Sequence, residues 1–186
     1  PSDRHRIIQI DVDPRDIAVT RPVTLGIVAD ARVAVEALVA ELRAMGVADA
    51  DMDEHGYVMA TIPATTTKPG VPVIGFIAHV DTSPEMSGAG VKPIVHRAYD
   101  GRDLVLPDDP SAILRVADMP YLGECLGHDL VTASGATLLG ADNKSGVAEI
   151  MTAAERLMTH PEIPHGDIRI AFTPDGKRAY VACELA

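Results

Sequence analysis

The sequence predicts an α/β fold in which a layered, mixed β-sheet is flanked by helices. Two observations support this class. Short apolar runs rich in β-branched residues have the length of strands, and they alternate with two segments whose apolar residues recur at helical spacing. The chain has 186 residues, of which 47% are hydrophobic and 23% charged, which is typical of a globular chain with one core. We therefore expect one structural unit.

The amino-terminal part predicts a strand, a loop and a helix. The run "RIIQIDVDP" is β-branched and ends at Asp13-Pro14, which indicates a short strand and a turn. After the proline-containing "VTRPVTLGIV", Asp30 can cap a helix that Gly46 ends. The apolar face of this helix is formed by Val35, Leu38, Val39, Leu42 and Met45.

Two strands are predicted next, in "GYVMATIPA" and "VPVIGFIAHVDT", with the turn-rich "TTTKPG" between them. The second run is apolar almost throughout. Continuous apolar runs are typical of strands that are covered on both faces. We therefore expect this strand to be central and buried.

The remaining chain predicts a loop-rich stretch, a hairpin, a helix and a strand. Residues 84–120 are rich in Gly, Pro and Asp, and we expect mostly loop with one or two short strands. "DLVTASGATLLGA" indicates a hairpin or bulged strand pair that turns at Ser134-Gly135. A helix follows from Ser145 to His160, and "DIRIAFTPD" alternates as a final strand.

Composition excludes several classes of function. The net charge is −11 and no Lys/Arg cluster stands out, so we expect neither nucleic-acid nor membrane binding. Cys125 and Cys183 are too few for a disulfide framework. The chain opens without an apolar leader, and its longest apolar stretch is about half of the roughly 20 residues that span a bilayer. We expect a cytoplasmic protein.

One candidate site lies in "IAHVDTSP". His79 and Asp81 are two residues apart at the carboxyl end of the predicted central strand, so their side chains leave the same face. This spacing suits two metal ligands, or a metal-bound histidine that a carboxylate orients. The alternative is an aspartate that accepts hydrogen bonds in the "DTSP" turn beside a histidine without a metal. The spacing alone favours that alternative.

A second candidate is Asp142 in "LLGADNKSG", where a strand meets the helix that begins near Ser145. Asp142 or Asn143 could instead cap this helix, which stabilises a helix by roughly 1 kcal/mol. No nucleophile elbow occurs in the sequence. Loop-like polar surroundings predict that the other histidines are solvated surface residues: His5, His55, His96, His128, His160 and His165.

Taken together, "GFIAHVDTSPEMSGAGVKP", "LLGADNKSGVAEIMTA" and "IPHGDIRIAFTPD" resemble the peptidase T family of tripeptide aminopeptidases, which are dizinc exopeptidases. The resemblance covers about residues 44–175 and implies an incomplete zinc-exopeptidase catalytic domain. It implies that His79 binds one zinc, that Asp81 orients His79, and that Asp142 bridges the two zincs. Asn143 stands where many members have a second aspartate. Short peptides with a free amino terminus would be the substrates.

The same resemblance exposes a departure. In the family, a Glu-Glu pair follows "FTPD" and supplies the general base and a further ligand, whereas Gly176 and Lys177 follow here. The chain then ends at Ala186, before the position of the family's remaining ligands. We find no general base, and we expect negligible peptidase activity with no zinc or one weakly bound zinc. The alternatives are a non-catalytic α/β domain with a weak residual zinc site, or a nucleotide-binding or assembly module.

The two ends of the chain resemble other families. Residues 1–42 resemble part of the central domain of thiamine-diphosphate-dependent enzymes such as acetolactate synthase, and residues 173–185 are similar to a strand pair of a β-propeller repeat. These resemblances divide the chain into residues 1–42, a peptidase T-like core at 43–175, and an unrelated tail at 176–186. We therefore expect a composite sequence whose uncovered sheet edges favour self-association.

Overall fold

The computed structural model describes residues 8–11, 25–28, 31–83 and 85–174. In chain order its elements are β1 (Ile8–Asp11), β2 (Leu25–Val28), α1 (Ala31–Ala44), β3 (Asp51–Met52), β4 (Val58–Ile62), β5 (Ile74–His79), β6 (Ile94–His96), β7 (Leu104–Leu106), β8 (Asp109–Leu114), α2 (Pro120–Glu124), β9 (Leu130–Thr132), α3 (Ala141–Thr159) and β10 (Ile168–Thr173). Several predicted features lie outside the described residues: the turn at Asp13-Pro14, the cap at Asp30, His5, Cys183 and the tail at 176–186.

The chain divides into two compact units. The first unit lies within Pro1–Val28 and Ser83–Gly140, and the second within Ala29–Thr82 and Ala141–Ala186. The predicted boundary at residue 42 falls inside helix α1. Each unit combines segments that are distant in sequence, and the division into 1–42, 43–175 and 176–186 stays a prediction.

The second unit is built on a mixed sheet with the strand order β3-β4-β10-β5. Strand β10 pairs antiparallel with β4 and parallel with β5. Residues of α1 and α3 share one buried apolar cluster with β4, β5 and β10, including the fully buried Leu42, Val58 and Phe172. The predicted α/β class, a mixed sheet with flanking helices, is confirmed.

Helix α1 confirms the amphipathic prediction. Val35, Val39 and Leu42 are buried, and the two other predicted residues pack against the same cluster. The helix is followed by Gly46, whose φ of 98° is a conformation that favours glycine. The apolar spacing therefore defined which face of this helix meets the sheet.

Strand β5 corrects the prediction of a central strand buried on both faces. It is at one end of the described sheet, and its exposed fractions are 49% for Ile74, 41% for Phe76 and 39% for Ile77. Only Ala78, near its carboxyl end, is fully buried. An apolar run predicts that a strand is buried, but it does not predict which elements cover the strand. Here the described elements cover only the last part of β5.

In the described part of the first unit, the strands form three two-stranded pairs: β1 with β2, β6 with β9, and β7 with β8. Residues 84–120 contain three strands rather than one or two, and β9 pairs with β6 rather than forming a hairpin at Ser134-Gly135. Ser134 is buried, and its hydroxyl donates to Asp108 Oδ2 at 2.7 Å. This bond anchors the residues that were expected to turn between two strands.

The prediction that every histidine other than His79 is a solvated surface residue is wrong for two of them. His96 is half-buried, with Nε2 3.0 Å from Thr132 Oγ1. His165 is half-buried with Nδ1 2.8 Å from the Gly166 carbonyl, and its buried Nε2 has no hydrogen-bond partner among the residues that the structure describes. Loop-like sequence alone did not indicate these contacts. Among the helices that the structure describes, none combines the length and apolar character needed to cross a membrane.

Candidate metal centre

The three predicted site residues lie at the carboxyl end of β5 and at the beginning of α3. Strand β5 ends at His79, whose register partner on β10 is Thr173. Asp142 and Asn143 have non-helical backbone angles within the first turn of α3, and the peptide bond between them is cis. The regular part of the helix therefore begins beyond them, as the spacing from Ser145 predicted. Asp142 is thus free to turn towards β5.

The ring of His79 lies between two carboxylates. Its Nδ1 atom is 2.9 Å from Asp81 Oδ1, and its Nε2 atom is 2.9 Å from Asp142 Oδ1. His79 and Asp142 are 63 positions apart in the chain. The structure thus brings together all three residues that the sequence singled out. Their role as metal ligands stays a prediction.

This arrangement raises the pKa of His79. Burial of the ring lowers its pKa, but the hydrogen bonds to Asp142 and Asp81 and the charges of both carboxylates raise it, and the result lies above the ordinary 6.5. An imidazolium can donate from both ring nitrogens, one to each carboxylate. The Asp142 side chain is 95% exposed, so the site opens to solvent on that side.

The donor set fits a zinc ion in part. Zinc takes imidazole nitrogen and carboxylate oxygen at about 2.0–2.2 Å, so two ligands of a tetrahedral ion lie roughly 3.4 Å apart. The observed 2.9 Å between His79 Nε2 and Asp142 Oδ1 is close to this separation. Asp81 on Nδ1 leaves Nε2 available for a metal. Within the described ranges, however, no cluster of three or more His, Cys, Asp or Glu side chains could hold a metal ion.

Lys144 belongs to the surroundings of this site, although the sequence predicted no role for it. Partial burial of its ammonium group lowers its pKa, and the charge of the nearby Asp81 opposes that effect. The Lys144 ammonium group and the His79 ring therefore both lie close enough to Asp81 for its charge to act on them. Its position two residues after Asp142 was the only sequence signal that could have suggested this.

Comparison with curated proteins identifies relatives of the chain. Peptidase T of Geobacillus sp. strain WCH70 is 48% identical over 170 residues, which cover 91% of this chain and 40% of that protein. Peptidase T of Geobacillus kaustophilus is 56% identical over 138 residues, which cover 74% of this chain and 33% of that protein. The chain is similar to peptidase T. It spans 33–40% of the length of these two relatives.

The chain is also similar to solved structures. The aminopeptidase PepT from Bacillus cereus is 26% identical, with a TM-score of 0.47 over 75% of this chain and 30% of that one. The aminoacylhistidine dipeptidase from Vibrio alginolyticus is 22% identical, with a TM-score of 0.46 over 79% of this chain and 24% of that one. No protein-family model matches the chain.

The likeness to peptidase T extends beyond the predicted residues 44–175. A match of 170 residues leaves at most 16 of the 186 unmatched, so it includes residues 17–42, most of helix α1 among them. The resemblance of residues 1–42 to thiamine-diphosphate-dependent enzymes is not supported, nor is that of residues 173–185 to a β-propeller repeat. Short apolar runs with a shared pattern recur in unrelated α/β proteins.

Proposed function

We propose that the chain is a fragment or composite of a zinc-dependent tripeptide aminopeptidase, in which His79 and Asp142 are part of the metal centre. The observation that carries this proposal is the 2.9 Å between His79 Nε2 and Asp142 Oδ1, two atoms supplied by separate sequence motifs. The likeness to peptidase T, at 48% and 56% identity, supports the same assignment. Short peptides are the proposed substrates, and the cytoplasm is the proposed compartment.

Each residue has a defined part in this proposal. Asp81 accepts the hydrogen bond from Nδ1 and so keeps the proton there, which presents the Nε2 lone pair to a metal. Asp142 supplies an anionic oxygen on the open side of the site. When bound, zinc would activate a water molecule for attack on the first peptide bond. Because Nε2 must lose its proton first, metal binding at His79 releases a proton.

We further propose that this chain alone hydrolyses peptides at a negligible rate. Gly176 and Lys177 stand where the resemblance leads us to expect the general base and a further ligand. Loss of a general base typically lowers a rate by about 10²–10⁴. A lysine at a ligand position adds a positive charge where a cation would bind.

The second candidate function is a non-catalytic α/β domain with at most a weak zinc site. One observation favours it: the described residues hold no cluster of three potential ligands. Catalytic zinc sites have about three protein ligands and structural sites about four. Two ligands alone would leave most of the coordination to water.

Calorimetric titration of the metal-free chain with zinc chloride, together with hydrolysis of trialanine followed by chromatography, separates the two. We expect one weak zinc site that Asp142→Asn and His79→Gln abolish, and no turnover. Asp118→Asn is the matched control, because Asp118 is also an exposed carboxylate and lies in the other unit. Two tight zinc sites together with hydrolysis of trialanine would refute the proposal that the chain is inactive. No zinc binding by the parent chain would refute the metal assignment.

A further inference from the structure

Gly146 lies in α3 against the segment that carries Asp142. A Cβ atom at this position would overlap the Oδ1 atom of Asn143 and would lie 3.0 Å from its Cγ atom. The same Cβ would be 3.4 Å from Ala78 Cβ on β5, which is ordinary van der Waals contact. The half-buried amide of Asn143 therefore occupies the volume that a side chain at Gly146 would fill.

We infer that Gly146 is a positioning residue of the metal centre, which makes room for the Asn143 amide so that Asp142 reaches His79. Asn143 is bonded directly to Asp142, so a displaced Asn143 moves the Asp142 carboxylate as well. The importance of this contact for zinc rests on the proposed function. The importance of the contact for the hydrogen bond between Asp142 and His79 is independent of the proposed function.

Local helix preference does not explain a glycine here. Gly146 is not among the residues with positive φ, so an alanine could adopt its backbone conformation. Glycine destabilises a helix interior relative to alanine, so helix formation alone would favour alanine. The approach of the helix to β5 also tolerates a methyl group, since Ala78 lies at contact distance. Among the described residues near this position, it is Asn143 that requires the side chain at residue 146 to be absent.

A cycle of four proteins tests the inference: the parent, Gly146→Ala, Asn143→Ala and the double variant. Zinc titration measures affinity, and nitrogen–proton correlation of the His79 ring at one fixed pH, without metal, reports the hydrogen bond from Nε2. We expect Gly146→Ala to weaken zinc binding by about 10- to 100-fold and to weaken that hydrogen bond. Adding Asn143→Ala should remove the overlap and restore zinc binding, so that the double variant binds zinc within about twofold of Asn143→Ala alone.

Gly75→Ala is the control, because Gly75 lies on β5 in the same unit and a Cβ there meets no atom of the described residues within 4 Å. It should leave both measurements unchanged. Parent-like values for Gly146→Ala, or a double variant as impaired as Gly146→Ala, would overturn the inference. If Gly146→Ala does not fold, a double variant that also fails to fold overturns it. If the parent binds no zinc, the proposed function fails, while the ring measurement still tests the role of Gly146.

Discussion

His79 Nε2 and Asp142 Oδ1 lie 2.9 Å apart, although 63 positions separate the two residues in the chain. One atom comes from the end of a strand and the other from the start of a helix. The two residues belong to separate sequence motifs. Neither strand nor helix propensity predicts that these motifs meet.

Replacing Asp142 with asparagine should lower the pKa of His79. The Asp142 carboxylate favours the imidazolium through a hydrogen bond and through its charge, and a neutral amide keeps the shape without the charge. Titration of the ring carbon-bound protons by NMR, in the metal-free protein, measures the pKa directly. Asp118→Asn should leave it unchanged. An unchanged His79 pKa in Asp142→Asn would show that the two side chains do not interact in solution.

Stability of the metal-free chain should decrease as pH rises through the pKa of His79. That pKa is raised in the folded state above the 6.5 expected of an unfolded chain, so the folded state binds the proton more tightly. The stabilisation is complete below about pH 6.5 and disappears above the folded pKa. Urea unfolding at several pH values with a chelator present measures it. His79→Gln should flatten the dependence in this window, and an equally steep dependence in that variant would contradict the assignment.

Replacing Phe172 with alanine should destabilise the second unit by about 3–5 kcal/mol. Phe172 is fully buried on β10, where it contributes to the apolar cluster between sheet and helices. Urea unfolding followed by circular dichroism gives the free energy. Met59→Ala, on the neighbouring strand β4 but 54% exposed, should change it by less than about 0.5 kcal/mol. Equal losses in the two variants would mean that this core is not formed.

Replacing Phe76 with lysine should reduce self-association. Strand β5 exposes apolar side chains, and no strand of the described sheet pairs with its outer edge. A lysine on an edge strand opposes pairing with another chain. Light scattering over a range of concentrations measures the mean mass. Tyr121→Lys removes a more exposed apolar residue, on α2 in the other unit, and should have no effect. A monodisperse monomeric parent would refute the prediction.

Much of the local structure could be predicted because it depends on residues that are near one another. Val35, Val39 and Leu42 recur at helical spacing, and they are the residues that α1 buries. Ile168, Ile170 and Phe172 alternate along β10 and are buried, as the pattern of the final strand indicated. These periodicities are properties of a backbone with 3.6 or 2 residues per repeat, so they can be read without a fold.

Other predictions failed where distant segments decide the outcome. The apolar run of β5 predicted a buried central strand, whereas Ile74 and Phe76 are exposed because the described elements cover only the end near Ala78. Ser134 was expected in a hairpin turn, but a hydrogen bond to Asp108 holds it. Ser134 and Asp108 are 26 positions apart, so no local sequence pattern could reveal this contact.

The sequence by itself determined helices α1 and α3, the alternation of buried residues along β10, and the three side chains His79, Asp81 and Asp142 as candidates for one site. It did so because propensity and periodicity act over a few residues. Only the tertiary structure decided that His79 lies between Asp81 and Asp142, and that Asn143 fills the space beside Gly146. Those contacts depend on packing α3 against β5, which brings together residues from separate parts of the chain.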